Sequence, residues 1–189
     1  MSIHYGPRNE YEILNFVSSG AAVTFTNNNS ISVDMNKTSG GYGWDTQAYC
    51  LKAFMAPCTI EFNKTANTYD DGVSYTMIGW NTDPLTDASY SSIDHAAYPF
   101  MQNTYYVYNN GSGSTYAAWD ATKKFYIVYD TDGYIRHYNG STLLYSANYG
   151  TGNIVFIDSS FYVKGSANGK LSNVRAIRRA WNGTQYKVT

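Results

Sequence analysis

The chain has 189 residues, a formal net charge of -1 and a sequence pI near 6.3, which is the size of a single domain. Lysine and arginine are dispersed, so we expect no nucleic-acid partner, and no apolar run approaches the roughly 20 residues that span a bilayer. Valine plus isoleucine outnumber leucine by 21 to 6, and glutamate and glutamine number only 3 each. This composition favours strands over helices.

The first half of the chain consists of short alternating segments separated by turn residues. The predicted strands are residues 22–26, 31–35, 59–62, 73–80, 105–108 and 115–118. The first two form a hairpin around an asparagine turn, and the last two flank a second hairpin turn at 109–113. A polar turn is predicted at 67–72. Trp80 ends an apolar strand and is predicted to lie in the core.

The second half gives the clearest strand pattern. The predicted strands are residues 124–129, 134–138, 142–145, 153–163 and 171–178. Gly133 and Gly140 close the two turns of this meander and are predicted to have positive φ. About eleven to thirteen strands at a spacing of 8–12 residues predict an all-β, antiparallel two-sheet sandwich with minimal helix. Only residues 46–55 and 87–97 could hold a helical turn or two.

The domain prediction is one sandwich over residues 21–180. An N-terminal strand or extension (1–20) precedes it, and a C-terminal tail (181–189) follows it. The N-terminus lacks a basic start followed by an apolar segment, so no secretory signal is predicted. Without sign of an oxidising compartment, Cys50 and Cys58 are interpreted as buried free thiols, and a single bridge between them is the alternative.

The order of elements resembles a known fold family. The relevant segments are TIEF at 59–62, IGW at 78–80, a long loop, YYVYNNG at 105–111, the meander at 124–146 and LSNVRAI at 171–177. This layout resembles the concanavalin A-like (lectin/glucanase, laminin-G-like) jelly-roll superfamily. The resemblance implies a jelly roll that binds sugars or adheres more often than it catalyses. Domains of this kind occur in viral and phage fibres, carbohydrate-binding modules and polysaccharide-degrading enzymes.

The function implied by this resemblance is non-catalytic recognition of a cell-surface glycan or polysaccharide. We expect a receptor-binding part of a virus or phage fibre, placed on a virion or extracellular surface and forming a homo-oligomer within a larger assembly. Two alternatives stay open. One is a structural virion or adhesin domain that makes only protein contacts, and the other is a divergent polysaccharide lyase or hydrolase.

Catalytic patterns are missing from the sequence. Hydrolases of the superfamily carry an E-x-D-x-x-E strand, whereas the only glutamates here are Glu10, Glu12 and Glu61. Glu61 has no acid two residues on, and we interpret it as an ordinary strand residue. No G-x-S-x-G, H-E-x-x-H or P-loop is present. The prediction is therefore that the chain is not an enzyme and has no catalytic residue.

Metal binding has weak support in the sequence. Aspartates occur in the turns at 70–72 and 130–133 and at Asp83, Asp87 and Asp94, where their oxygens could bind calcium. The same residues are explained by turn formation. No cofactor or metal ligand is predicted, and calcium is kept as an alternative.

The candidate ligand-binding residues combine aromatic rings with polar neighbours in loops, because sugars present an apolar C–H face and a rim of hydroxyls. They are Trp44, Asp45, Tyr90, Asp94, His95, Tyr98, Trp119 and Asp120. The long segment 81–99 is the leading candidate because binding residues concentrate on long loops. Trp181 is predicted to lie at a domain edge or subunit contact.

Overall fold

The architecture is a sandwich of fourteen strands, seen in a computed structural model that describes residues 11–19, 23–28, 31–37, 43–64, 74–100, 104–116, 118–163 and 169–188. The strands are β1 (Phe16–Ser19), β2 (Val23–Asn28), β3 (Ser32–Lys37), β4 (Trp44–Phe54), β5 (Cys58–Asn63), β6 (Ser74–Asn81), β7 (His95–Pro99), β8 (Tyr105–Asn109), β9 (Ser112–Tyr116), β10 (Phe125–Tyr129), β11 (Tyr134–Asn139), β12 (Thr142–Asn148), β13 (Val155–Val163) and β14 (Gly169–Ile177). The only helix within these ranges is a 3-10 turn at Tyr90–Ser92.

Two seven-stranded sheets pack face to face. Sheet I has the order β1-β4-β13-β6-β7-β8-β9, and sheet II has the order β12-β11-β10-β5-β14-β3-β2. Neighbouring strands in both sheets are antiparallel. This arrangement confirms the predicted all-β, two-sheet sandwich with minimal helix.

The space between the sheets is filled by aromatic side chains. Phe62 and Phe125 stack with ring centroids 5.1 Å apart, and Phe54 packs on Trp80 at 5.5 Å. Trp80 is fully buried, as predicted, and its Nε1 donates to the main-chain oxygen of Ile127 at 3.2 Å. Because an indole N–H in a core needs an acceptor, this bond satisfies the one polar atom of the ring while joining the two sheets.

The predicted turns and thiols are present. The first hairpin is β2–β3, and the meander pairs β10 with β11 and β11 with β12. Gly133 has φ 79° and Gly140 has φ 61°, both positive as predicted. Cys50 and Cys58 are buried and unbonded, which agrees with the free-thiol interpretation.

Three local predictions are corrected. Residues 46–55 fall almost entirely in β4, because their side chains alternate between the core and the opposite face and β4 pairs with both β1 and β13. Residues 87–97 do hold one 3-10 turn, but the long loop predicted over 81–99 ends at Asp94, because residues 95–99 pair with β6 and β8 as β7. The second hairpin turns over Asn110 and Gly111 alone, since both have positive φ and a two-residue turn suffices. The turn predicted at 67–72 lies outside the described residues.

Each sheet has an outer face that is partly covered by a non-strand segment. Residues 82–94 lie on the outer face of sheet I, where Gln47 of β4 donates to the main-chain oxygen of Pro84 at 2.6 Å. Residues 178–188 lie on the outer face of sheet II, where Trp181 stacks on Tyr126 with ring centroids 4.4 Å apart. Within the described ranges, no helix is long and apolar enough to cross a bilayer.

Candidate functional site

A cluster of aromatic side chains lies on the outer face of sheet I. Alternation along a strand sends every second side chain away from the core, and in β6, β7 and β8 those outward positions include Tyr75, Tyr98, Tyr106 and Tyr108. The cluster, here called the aromatic face, consists of Trp44, Tyr75, Tyr90, Tyr98, Phe100, Tyr106, Tyr108 and Tyr162. Met77, Ile93 and Ala96 are buried beneath these rings. The aromatic face is therefore a second apolar cluster, separate from the core between the sheets.

Strand register places the rings beside one another. In sheet I, Trp44 pairs with Tyr162 and Tyr162 pairs with Tyr75, so one row of rings crosses three strands. Tyr98 of β7 pairs with Tyr106 of β8 and begins a second row. Cross-strand aromatic pairs stabilise a sheet, which explains how strands with a solvent-facing apolar side remain ordered.

Residues 82–94, here called the covering segment, add the ring of Tyr90 to the aromatic face. The Tyr90 ring centroid lies 5.1 Å from that of Trp44 and 5.3 Å from that of Tyr108. The turn that holds it is capped by Ser89, whose side-chain oxygen accepts from the main-chain nitrogen of Ser91 at 3.2 Å. Trp44, Tyr90 and Tyr108 thus form one wall at the border between the strands and the loop.

Several groups of the aromatic face are available to a ligand. Seven of the eight rings are half-buried, and Tyr98 is only 6% exposed. Among the described residues, four of the tyrosyl hydroxyls have no hydrogen-bond partner; they belong to Tyr90, Tyr106, Tyr108 and Tyr162. A partly exposed ring with an unpaired hydroxyl offers an apolar surface together with a hydrogen-bond donor and acceptor.

The covering segment is held to the sheet by polar contacts. The Oδ2 atom of Asp94 accepts from the main-chain nitrogen of Thr82 at 2.9 Å and from the Tyr149 hydroxyl at 2.6 Å. Ser160 of β13 donates to the main-chain oxygen of Ala88 at 2.8 Å. These bonds fix both ends and the middle of residues 82–94, so Tyr90 is held in a defined position.

A buried carboxyl group lies beneath this segment. Asp158 of β13 is fully buried and accepts hydrogen bonds from Gln47 Nε2 at 2.9 Å and Asn81 Nδ2 at 2.8 Å. Burial raises the pKa of Asp158 to about 7, although the bonds from Asn81 and Gln47 act in the opposite direction. The side-chain amide of Gln47 also donates to the main-chain oxygen of Pro84, so it connects the Asp158 carboxyl group to the covering segment.

The structure brings together three of the eight residues predicted to bind a ligand. Trp44, Tyr90 and Tyr98 are mutual neighbours in the aromatic face, with the Trp44 and Tyr98 centroids 5.7 Å apart. Asp45 follows Trp44 but turns to Lys37, with Oδ1 2.8 Å from Nζ. The hydrogen bond from Lys37 lowers the pKa of Asp45.

The other loop candidates have structural partners. Asp94 closes the ends of the covering segment, and His95 alternates with Ala97 toward the core. The ring of His95 is buried and meets Tyr149 at 4.6 Å, and burial lowers its pKa. Neither side chain belongs to the aromatic face.

Trp119 and Asp120 lie in the connection before β10. Trp119 is 6% exposed, packs on Phe125 at 5.3 Å and donates from Nε1 to the main-chain oxygen of Thr104 at 3.1 Å. Asp120 caps a turn by accepting from the main-chain nitrogen of Thr122 at 2.9 Å. Trp119 therefore covers one end of the core, apart from the aromatic face.

Sequence reasoning missed five members of the aromatic face, namely Tyr75, Phe100, Tyr106, Tyr108 and Tyr162. The site was predicted to lie in loops, because strand residues alternate between the core and the opposite sheet face. A usable signal was present in β8, where Tyr106 and Tyr108 alternate with the buried Tyr105 and Val107. Aromatic residues on both faces of one strand indicate that the outer face also forms an apolar cluster.

Four of the aspartates considered for calcium have other partners for their carboxylates, namely Asp87, Asp94, Asp130 and Asp132. Asp130 and Asp132 both form ion pairs with Arg136, and Asp130 also pairs with Lys187. In the part of the chain that the structure describes, no three His, Cys, Asp or Glu side chains come together to hold a metal ion. Asp70 and Asp71 lie outside that part.

The sequence matches no protein-family model and no curated protein, whereas several solved structures resemble the fold. The TRIM65 PSpry domain superposes with a TM-score of 0.55 at 14% identity, over 86% of this chain and 89% of that chain. The SPRY domain of human HERC1 gives 0.54 at 15% identity, over 79% and 91%. The Bacillus licheniformis beta-glucanase gives 0.53 at 11% identity, over 91% and 95%.

These structures share one architecture, but they are named as different kinds of protein. One is named as a glucanase and two as SPRY domains, so the likeness does not decide whether this chain is an enzyme. A fold shared at such low identity says nothing about which side chains act. The chain shares with these structures the two-sheet jelly-roll fold that the order of its strands predicted.

Proposed function

We propose that the chain is a non-catalytic glycan-recognition domain and that the aromatic face is its binding surface. The observation that carries this proposal is the continuous set of half-buried rings on the solvent side of sheet I. Isolated exposed apolar residues are common on proteins, whereas a contiguous apolar patch rimmed by polar groups marks a binding surface.

The chemistry of the aromatic face matches that of a sugar. A pyranose ring stacks its C–H face on an aromatic ring, and its hydroxyls form hydrogen bonds at the edge of the stack. Tyr90, Tyr106 and Tyr108 supply hydroxyls next to their rings, without a bound partner among the described residues. Stacking on an aromatic side chain contributes roughly 1–3 kcal/mol per ring by analogy with nucleic-acid bases. Several such contacts are enough for specific binding.

A glycan array followed by titration of two variants tests the proposal. We expect Trp44→Ala and Tyr90→Ala each to weaken binding of the selected glycan tenfold or more, because each removes one ring of the wall that Trp44, Tyr90 and Tyr108 form. The control is Tyr134→Ala, which removes an exposed tyrosine from sheet II. Equal affinity of all three variants and the wild type would remove the aromatic face as the site.

Tyr98 is not suited to the same test. It was predicted to lie in a long loop, but it belongs to β7, is 6% exposed and has its ring centroid 5.3 Å from that of Phe100 and 5.7 Å from that of Tyr106. Removing a ring that packs against several others leaves a cavity. A loss of binding in Tyr98→Ala would therefore combine a folding effect with a binding effect.

A second candidate function, glycoside hydrolysis, is favoured by one observation. A carboxyl group whose pKa is raised to about 7 by burial can act as a general acid near neutral pH, and Asp158 is such a group. Its full burial beneath residues 82–94 supports the non-catalytic proposal, because a substrate would have to displace that segment. Turnover of the selected glycan that is lost in Asp158→Asn would establish the hydrolase instead.

The biological setting that we propose is a virus or phage attachment structure, with a cell-surface glycan as partner and assembly as a homo-oligomer. The support is compositional, since the chain has 20 Tyr, 18 Asn and 16 Gly among 189 residues. The rival is a structural domain that covers the aromatic face with protein. Sedimentation of the wild type and Trp44→Ala separates them, because only the rival expects the variant to change the oligomeric state.

A further inference from the structure

A cavity lies on the opposite side of the molecule from the aromatic face. It has a volume of about 480 Å³, within the range of small-molecule sites, and lies between the outer face of sheet II and the segment 178–188. Its walls include Glu61 of β5, Tyr126 of β10 and the ring of Trp181. The cavity combines charged groups with an aromatic wall, so it differs in character from the aromatic face.

The carboxylate in this cavity has all the partners that it needs. Glu61 accepts from the hydroxyls of Tyr11 at 3.0 Å and of Tyr186, and its Oε2 lies 3.2 Å from Lys124 Nζ. Burial is the main cause that raises the pKa values of Tyr11 and Tyr186, so both hydroxyls stay protonated as donors. Glu61 was interpreted from the sequence as an ordinary strand residue, but it is the buried centre of this group.

The cations around Glu61 exceed what one carboxylate requires. Lys124 already balances its charge, and Arg175 pairs with Glu61 in the register of β14 and β5. Arg179 also lines the cavity and forms no ion pair with any described residue. The cavity region therefore carries a net positive charge, which favours an anionic ligand.

Arg175 provides a second observation. Its guanidinium lies over the ring of Tyr11 at 5.1 Å from the centroid, and its Nε is buried without a hydrogen-bond partner among the described residues. Arg175 does not itself line the cavity, but Tyr11 beneath its guanidinium and Glu61, its partner in strand register, both do. Arg175 therefore adds positive charge beside the cavity, on the same face of sheet II as Arg179.

We propose that this cavity binds a carboxylated sugar, with Arg179 pairing its carboxylate and Trp181 bordering its ring. A guanidinium binds a carboxylate through two parallel hydrogen bonds, which orients the ligand as well as attracting it. The side chains of Thr184 and Gln185 line the same wall and would meet the hydroxyls of a sugar. The Thr184 hydroxyl already donates to Asn182 Oδ1 at 2.9 Å, so it would act as an acceptor. This site goes beyond the function proposed for the aromatic face and shares no residue with it.

The experiment follows the indole N–H resonances of the four tryptophans by NMR during titration with glucuronate, glucose and inorganic sulfate. Glucuronate and glucose differ only in the carboxylate. We expect glucuronate to shift the resonance of Trp181, whose Nε1 donates to the main-chain oxygen of Gly140 at 3.3 Å, and to leave that of Trp44 in place. Glucose and sulfate should shift the Trp181 resonance at least tenfold less at equal concentration.

Two adjacent arginines supply the matched variants. Arg179→Gln should weaken glucuronate binding tenfold or more, and Arg179→Lys should restore part of it. Arg178→Gln makes the same change in net charge one residue earlier, where the side chain pairs with Glu12, and should bind as the wild type does. Equal losses in the 178 and 179 variants would overturn the proposal by indicating a general charge effect.

Other results of the titration would also overturn the proposed site. A Trp181 shift as large with sulfate as with glucuronate would indicate a plain anion site and overturn the sugar assignment. Absence of any Trp181 shift would overturn the site itself. A shift of Trp44 alone would place glucuronate on the aromatic face, so that the cavity proposal fails while the proposed function stands. Trp44→Ala should leave the Trp181 response unchanged.

Discussion

The hydroxyl of Tyr105 and Nδ1 of His137 share a hydrogen bond of 2.7 Å that joins sheet I to sheet II inside the core. Both side chains are fully buried, and Nε2 of His137 has no partner among the described residues. Burial lowers the pKa of His137 to about 3, with a further contribution from His95. A neutral imidazole in this position is therefore a condition for the packing of the two sheets.

His137 should make the protein sensitive to acid. Its pKa is lower in the folded chain than in the unfolded chain, where it is near 6.5, so the unfolded state binds more protons between these values. The contribution of His137 to stability should fall as the pH drops from about 6.5 toward 3, by on the order of 4–5 kcal/mol. Denaturant unfolding of the wild type and His137→Gln across this range measures the effect. The same slope in both proteins would contradict it.

Asp158 should act in the opposite direction. Its pKa is raised to about 7 in the fold from an ordinary 3.8, so the folded state binds more protons in between. Its contribution to stability is full below about pH 4 and is lost as the pH rises to about 7, on the order of 4 kcal/mol. We expect Asp158→Asn to lose stability on acidification more steeply than the wild type does. The wild-type profile should be comparatively flat because the two groups offset each other, and a variant profile identical to it would refute this.

Adding a side chain at Gly133 should lower stability more than adding one at Gly150, which lies beside it in the fold. Gly133 and Gly150 both have positive φ, 79° and 90°. A Cβ at Gly133 would lie 2.9 Å from the main-chain carbon of Gly150, whereas a Cβ at Gly150 meets nothing within 4 Å. Both alanine variants incur left-handed strain of roughly 1–2 kcal/mol, so the excess cost of Gly133→Ala measures the steric clash. Thermal melts of the pair that coincide would show that the clash is absent.

The two thiols should be unreactive until the chain unfolds. Cys50 and Cys58 are fully buried, and burial raises the pKa of each, which disfavours the reactive thiolate. We expect a thiol reagent to label neither in buffer and both in denaturant. Labelling of Cys50 in buffer at the rate of a small-molecule thiol would contradict the packing around β4.

The fold could be predicted because its information is local. Alternating residues in β10 and β11 and a glycine between them suffice to indicate a hairpin, wherever the rest of the chain lies. The candidate site could be predicted only in part, because Trp44 and Tyr162 are far apart in sequence and become neighbours through the pairing of β4 with β13. No local pattern specifies that pairing. The partners of Glu61 could not be predicted for the same reason, since Tyr11 and Tyr186 come from near the two ends of the chain.

The sheet order also constrains how the chain acquires its structure. The last two strands, β13 and β14, are each inserted in the middle of a sheet, β13 between β4 and β6 and β14 between β5 and β3. Until they are made, sheet I is split after β4 and sheet II after β5. Contacts between such distant segments form slowly, because loop closure precedes any gain from pairing. During synthesis the earlier strands therefore have unpaired edges until β13 and β14 are made. A chain that ends before residue 155 would form four separate groups of strands and no complete sandwich.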